Sequence, residues 1–183
     1  MTSESRARMV RSAASLISTR GVNATSFSDV LADSGAPRGS IYHHFPEGKE
    51  QLAEDAIRWT SERVLAKQRS CPATAPAGVL ACFIDMWRQV VVASHGKAGC
   101  VVAGVAVDTT AEEDAVIDLV RTTFRSWVDL LADQLEATGV PKPRAGSIAI
   151  ATVAGMEGAL ILCRAEGGSG PLEAVAKELL RLL

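Results

Sequence analysis

SGAPRGSIYHHFPEGKE, residues 34–50, packs two turns, Gly35–Pro37 and Pro46–Gly48, around Tyr42, His43, His44 and Phe45. Adjacent histidines between two aromatics fit three readings: a metal site, a catalytic pair, or a surface that grips something flat and charged. The flanking sequence decides among them. Upstream, residues 4–20 carry Met9, Val10, Ala13, Ala14, Leu16 and Ile17 at helical spacing, with Arg6, Arg8, Arg11 and Arg20 on the remaining surface. Ser3 is placed to cap that helix, and Gly21 to end it in a left-handed conformation. Thr25 or Ser26 can cap a second, short helix with Asp29 in its first turn and Phe27, Val30 and Leu31 on one face. Gly35 ends it. Pro37 suits the first turn of a third helix, which runs from Arg38 to about His44 before Pro46 and Gly48 break the chain.

Three helices before residue 49, the last two joined by a tight turn containing glycine, form the helix-turn-helix pattern. In that motif the second helix of the pair lies in the DNA major groove and the first crosses the backbone. Ile41 and Phe45, four apart, can face inward. Arg38, Ser40, Tyr42 and His43 then project outward as partners for phosphates and base edges. Lys49, with the N–H groups that open the fourth helix, is a candidate to hold a phosphate, as are Ser26 and Ser28 at the start of the second. Neighbouring helical residues diverge by about 100°. His43 and His44 are therefore not expected to share a metal ion: His43 reads as a DNA contact and His44 as a packing residue.

Charge supports a local rather than a global polyanion surface. The 183-residue chain has a net charge of −2, yet residues 1–46 hold five arginines against Glu4, Asp29 and Asp33, a balance of +2. With 48% hydrophobic and 22% charged residues the composition is that of a globular protein. Cys71, Cys82, Cys100 and Cys163 include no CxxC pair. They read as reduced thiols of a cytosolic protein, serving as small core hydrophobes. The first ten residues hold charges and no apolar run, so no signal peptide is expected. The most apolar stretch, 147–163, contains Glu157 and two glycines and reads as a helix buried in a protein interface, not a membrane span.

The rest also reads as helical. A fourth helix covers about 49–70, with Leu52, Ala53, Ala56, Ile57, Thr60 and Val64 inward; a fifth covers about 77–94, with Leu80, Phe83, Ile84, Trp87 and Val91. Residues 100–109 are a short helix or an irregular buried segment. A long helix is expected over 111–138, with Glu112, Glu113 and Asp114 at its dipole-favoured start, followed by helices over 144–166 and 170–182. The expected fold is all-α, divided into an N-terminal domain of residues 1–48 and a C-terminal domain of residues 49–183. An enzyme is not expected: there is no Gly-rich phosphate loop, GxSxG or HExxH, and no clustered Asp, Glu and His in the C-terminal part. A helical adaptor that binds protein is a second rival; in it, changing Tyr42 and His43 leaves function intact.

The run TSFSDVLADSGAPRGSIYHHFPEGKEQL, residues 25–52, resembles the DNA-binding domain of the TetR family of bacterial transcriptional regulators. FPEGKE is one residue longer than the common FxxKE form of that loop. This extra glycine, with GCVVAGVAVD at 99–108, resembles the LmrA/YxaF subgroup. The resemblance implies a cytoplasmic, all-helical homodimer that binds a palindromic double-stranded DNA operator, usually as a repressor, and is released by a small effector. It implies a dimer seam on the last two helices, here Ala149, Val153, Met156, Leu160, Leu179, Leu180 and Leu183, with Gly155 and Gly158 allowing close approach. It also implies an effector pocket among Phe83, Met86, Trp87, Val90, Phe124, Trp127 and Met156, whose apolar and aromatic character suits a hydrophobic or aromatic molecule. Taken singly, those aromatics read as core. No cofactor and no membrane partner are expected.

Overall fold

The computed structural model describes the backbone of residues 2–109 and 115–183. Among the described residues there are nine α-helices and no strand: α1 (Thr2–Arg20), α2 (Phe27–Ser34), α3 (Ser40–His44), α4 (Lys49–Arg69), α5 (Pro76–Ala93), α6 (Val101–Asp108), α7 (Ala115–Ala137), α8 (Lys142–Glu166) and α9 (Gly170–Leu180). The all-α expectation holds, and the ambiguous segment after Gly99 is a helix. The acidic start expected at Glu112–Asp114 lies outside the described residues. The chain forms two compact units, Met1–Glu62 with Cys100–Thr123, and Arg63–Gly99 with Phe124–Leu183. Helix α4 is continuous through the change of unit at Glu62 and Arg63.

In the first unit α1 supplies the core face foreseen from its spacing: Met9, Val10, Ala13, Ala14 and Ile17 are buried. Val30 of α2, Ile41 of α3 and Leu52, Ala53, Ala56 and Ile57 of α4 complete that core. Helix α6 packs on α1, burying Val101, Val102 and Val105. The sequence gives no periodic signal for α6, because almost every residue in it is apolar.

In the second unit α8 packs on α9, and α5 packs on both. Phe83 and Trp87 of α5 meet Trp127 of α7, with ring centroids 6.4 Å apart for the first pair and 5.9 Å for Trp87–Trp127. Gln68, buried near the end of α4, donates from Nε2 to Gln134 Oε1 at 2.7 Å, and Gln134 Nε2 donates to the Gln68 backbone carbonyl at 3.0 Å. Arg88 grips Glu173 of α9 through two bonds of 2.6 and 2.8 Å. That hydrogen-bonded pairing raises the Arg88 pKa and lowers the Glu173 pKa.

Two cysteines depart from the expectation of four reduced thiols. Cys71 and Cys82 form a disulfide, while Cys100 and Cys163 are buried outside it. The loop after α4 turns back over the first turns of α5. This brings Cα atoms eleven residues apart to 6.0 Å, within bridging range. No CxxC spacing marks such a pair, because the closeness arises from the turn and not from helical spacing.

Candidate nucleic-acid interface

The DNA-reading expectation rests on a very short helix being held in place. Helix α3 has five residues, too few for an isolated helix to persist in water. Tertiary anchors hold it instead. Ile41 and Phe45 are fully buried, as their spacing foretold. The Arg6 guanidinium sits 5.3 Å from the Phe45 ring centroid and also pairs with Asp55 of α4. Burial raises the Asp55 pKa, outweighing the attraction of Arg6. Before α3, Gly35 takes the left-handed conformation at φ 63° that closes α2, and Ser40 N–H closes the following turn onto the Pro37 carbonyl at 2.9 Å. The third helix therefore begins at Ser40, two residues later than expected.

Helix α2 is fixed at its start. Ser26 is its N-cap and not Thr25, whose hydroxyl donates instead to the Gly21 carbonyl at 2.7 Å. Ser26 Oγ accepts the Asp29 N–H, and the Asp29 carboxylate accepts the Ser26 N–H at 2.9 Å, a reciprocal capping box. The Ser26 hydroxyl also donates to the Asp29 carboxylate at 2.6 Å; that bond, then the Ser26 N–H bond and the attraction of Arg20, lower the Asp29 pKa. The hydroxyls of Ser26 and Ser28 lie 2.8 Å apart at this helix start.

Of the expected DNA contacts, Ser26, Ser28, Arg38, Tyr42, His43 and Lys49 are exposed and Ser40 is half-buried. Tyr42 is 70% exposed although apolar in its body. Its ring meets Phe27 edge-on at 5.7 Å, which joins the start of α2 to the exposed face of α3. Ser40 Oγ is bonded to the Pro37 carbonyl at 2.6 Å, and Lys49 Nζ to the Asn23 carbonyl at 3.2 Å. His44 is half-buried with its ring against Phe45.

One residue that positions this surface went unseen in the sequence. Asp108, the last residue of α6, accepts the Val22 N–H at 2.7 Å and the Asn23 N–H at 3.4 Å. It clamps the turn between α1 and α2 from 86 residues away. A Cβ on Gly21, at φ 83°, would stand 2.6 Å from Asp108 Oδ2, so the clamp depends on glycine there. The available signal was a single carboxylate closing the apolar run VVAGVAV.

The expected effector-lining residues fall in the second unit. Phe83, Trp87, Trp127 and Met156 are buried, while Met86, Val90 and Phe124 are half-buried. The indole Nε1 atoms of Trp87 and Trp127 are buried without a hydrogen-bond partner. The expected seam residues divide. Ala149, Val153, Met156, Leu160 and Leu179 are at most 7% exposed within this one chain, whereas Leu180 and Leu183 are exposed. Side chains already covered by their own unit offer no surface to a second copy. Gly155 likewise faces α9 of its own chain, where an added Cβ would meet Val175 and Leu179 at 3.3–3.4 Å.

A helix-turn-helix with an exposed second helix, in a chain that is helical and strand-free among the described residues, is the arrangement found in DNA-binding regulators. Residues 10–56 match the family of bacterial regulatory proteins named for TetR, and residues 76–178 match the LmrA/YxaF-like transcriptional regulator C-terminal domain. The HTH-type transcriptional regulator Rv0196 of Mycobacterium tuberculosis is 40% identical over 97% of this chain and 93% of its own. A TetR transcriptional regulator from Legionella pneumophila shares the fold with a TM-score of 0.84, at 24% identity, over 94% of this chain and 93% of its own. So does a cysteine mutant of the TetR-family regulator CifR, complexed with 26 bp double-strand operator DNA, with a TM-score of 0.77 at 17% identity over 96% and 94% of the two chains. The chain belongs to the TetR family of transcriptional regulators, and its C-terminal domain is of the LmrA/YxaF-like kind. The family is one of transcriptional regulators, not enzymes.

Proposed function

We propose that this chain is a ligand-responsive repressor that binds a palindromic operator as a cytoplasmic homodimer and leaves it when a small hydrophobic or aromatic effector binds. The observation that carries the DNA reading is the five-residue α3, anchored by buried Ile41 and Phe45, with Tyr42 and His43 exposed. Residues 1–48 carry the reading surface. Arg38, Ser40, Tyr42 and His43 contact the groove, and Lys49, Ser26 and Ser28 grip phosphates. The fold shared with the DNA-bound CifR structure supports this assignment.

Residues 49–183 bind the effector and the second copy. We place the seam on the neighbouring stripe of α8 from the one named on sequence grounds: Ile150, Ala154, Gly158 and Ile161, together with the exposed Leu180 of α9 and Leu183 beyond it. Ile150 and Ile161 are 62% and 67% exposed, Ala154 and Gly158 lie between them at helical spacing, and small residues permit close approach. Two exposed isoleucines on one helical face, with half-buried Glu157 between them, suit a surface that a second copy covers. A two-fold dimer presents its α3 helices to half-sites about 34–36 Å apart. The unpartnered Nε1 atoms of Trp87 and Trp127 favour an effector that brings a hydrogen-bond acceptor into the aromatic cluster.

The test is a gel shift with the DNA flanking the chain's own gene at two salt concentrations, followed by footprinting. A two-fold footprint is expected, and Tyr42→Ala should weaken binding by about tenfold, the loss of one contact of ~1.4 kcal/mol. Unchanged affinity in the variant, with normal helicity, would favour the adaptor reading.

A further inference from the structure

The disulfide lies at the end of the helix that leads to the DNA-reading motif. Helix α4 begins at Lys49, whose ammonium holds the Asn23 carbonyl, and ends at Arg69, two residues before Cys71. Cys82 lies one helical turn beyond Gly78 on α5 and therefore on the same face. Cys71 Sγ approaches the Gly78 carbonyl at 3.9 Å. A Cβ on Gly78 would be 2.8 Å from Ala73 Cβ, so glycine is what lets the loop lie close enough for the bridge. Both sulfur-bearing residues are half-buried beside exposed Pro72, Thr74 and Ala75, whereas Cys100 and Cys163 are buried. The accessible cysteines are thus also the paired ones.

A regulator at work on DNA sits in a compartment that keeps thiols reduced, where disulfides are mostly transient and redox-sensing. We propose that Cys71 and Cys82 form a reversible thiol–disulfide switch whose state sets operator affinity through α4. The proposal rests on the DNA-binding reading above. The oxidant is a low-molecular-weight disulfide, RSSR. One cysteine thiolate attacks a sulfur of RSSR, expelling one thiolate and forming a mixed disulfide. The second cysteine thiolate attacks the protein sulfur of that mixed disulfide and expels the other thiolate. The S–S bond of RSSR is broken and the Cys71–Cys82 bond formed. The two cysteines together lose two protons and two electrons, and RSSR becomes two RSH. In the oxidised state the end of α4 is clipped to α5. In the reduced state the Gln68–Gln134 pair and the buried Val64 still hold it, so the helix end loosens without the unit unfolding.

The experiment equilibrates the full chain in glutathione buffers from fully reducing to fully oxidising. Thiols are counted by alkylation and mass spectrometry, and affinity for the DNA fragment found by gel shift is measured at each step. The expected result is reversible loss of the Cys71 and Cys82 thiols alone, with operator affinity changing at least about fivefold in step. Cys71→Ser and Cys82→Ser should show a flat affinity across the series. The proposal is overturned if the bridge persists at the reducing end, if it never forms, or if it forms with no change in affinity. Failure to bind the fragment in every buffer would overturn the DNA reading and the coupling together. The thiol count would still show in that case whether the pair cycles, which separates the two failures.

Discussion

Gly21 and Asp108 test whether α6 holds the turn that leads into the DNA-reading motif. Three variants are compared with the parent: Gly21→Ala, Asp108→Ala and the double change. Removing Asp108 deletes a charged acceptor for the Val22 N–H and a longer bond to the exposed Asn23 N–H. A hydrogen bond to a charged group contributes about 1.5–3 kcal/mol, and the partial exposure here favours the lower end, ~1.5 kcal/mol. Gly21→Ala acts twice. An alanine forced into the left-handed region costs about 1–2 kcal/mol. Its Cβ also meets Asp108 Oδ2 at 2.6 Å, so the flexible carboxylate swings away and the Val22 bond is lost as well. That single change should therefore cost about 3 kcal/mol, the strain added to the lost bond. In the double variant the bond is already absent and only the strain is added, again about 3 kcal/mol in total. The sum of the single changes is ~4.5 kcal/mol, leaving a coupling of ~1.5 kcal/mol, three times the usual tolerance for additive sites. Urea unfolding followed by circular dichroism, at one fixed protomer concentration, measures all four proteins. A double variant whose loss equals the sum of the two singles would refute the clamp.

Lys49→Ala should weaken binding to all DNA sequences and reduce the salt slope by about one phosphate contact, read from affinity against log salt; a slope equal to the parent's removes Lys49 from the backbone contacts. Ile161→Glu on the exposed face of α8 should convert the dimer to monomer in analytical ultracentrifugation, because it buries an unpaired charge in the assigned seam; a dimer that persists moves the seam elsewhere. Asp29→Asn addresses the capping box: since the folded pKa lies below 3.8, this contribution is present above 3.8 and is lost as pH falls through the lower folded value. The denaturation midpoints of parent and variant should therefore differ near neutral pH and converge in acid, and a constant gap would show that the carboxylate charge is not what stabilises the cap.

Much of the head was legible because its signals are local. Ser26 and Asp29 form a capping box three residues apart, Gly35 takes the positive φ that ends α2, and Ile41 and Phe45 anchor α3 from i, i+4 positions. Each depends on a few neighbouring residues, and sequence shows neighbours directly. Asp108 and the Cys71–Cys82 bridge were not legible for the opposite reason. One acts across 86 residues, and the other depends on a loop lying against α5 through Gly78. Nothing in the spacing of their side chains records either approach. The two tryptophans are intermediate: their place on one face was readable, but their unpartnered N–H groups were not.

Helix α8 shows how one apolar pattern can fit two faces. A helix that packs its own chain on one side and keeps an apolar surface on the other is apolar nearly all round, so periodicity cannot rank the two faces. Ala149, Val153, Met156 and Leu160 follow one helical stripe, and Ile150, Ala154, Gly158 and Ile161 follow the next. Both satisfy the spacing rule for a seam. Only the tertiary partners separate them. Helix α9, packed against α8, covers Gly155 through Val175 and Leu179, and the first stripe is buried within the chain. The second is left facing outward, with Ile150 and Ile161 mostly exposed. Covering those isoleucines with a second copy removes apolar surface from water, while the small Ala154 and Gly158 let the backbones approach. The same reasoning makes Met156 a test of assignment. A fully buried methionine on the inner stripe contributes to the fold of one chain, so Met156→Ala should lower stability by about 2–5 kcal/mol, as large-to-small core changes do. If the variant instead dissociates the dimer while each protomer keeps its unfolding midpoint, the two faces have been assigned in reverse.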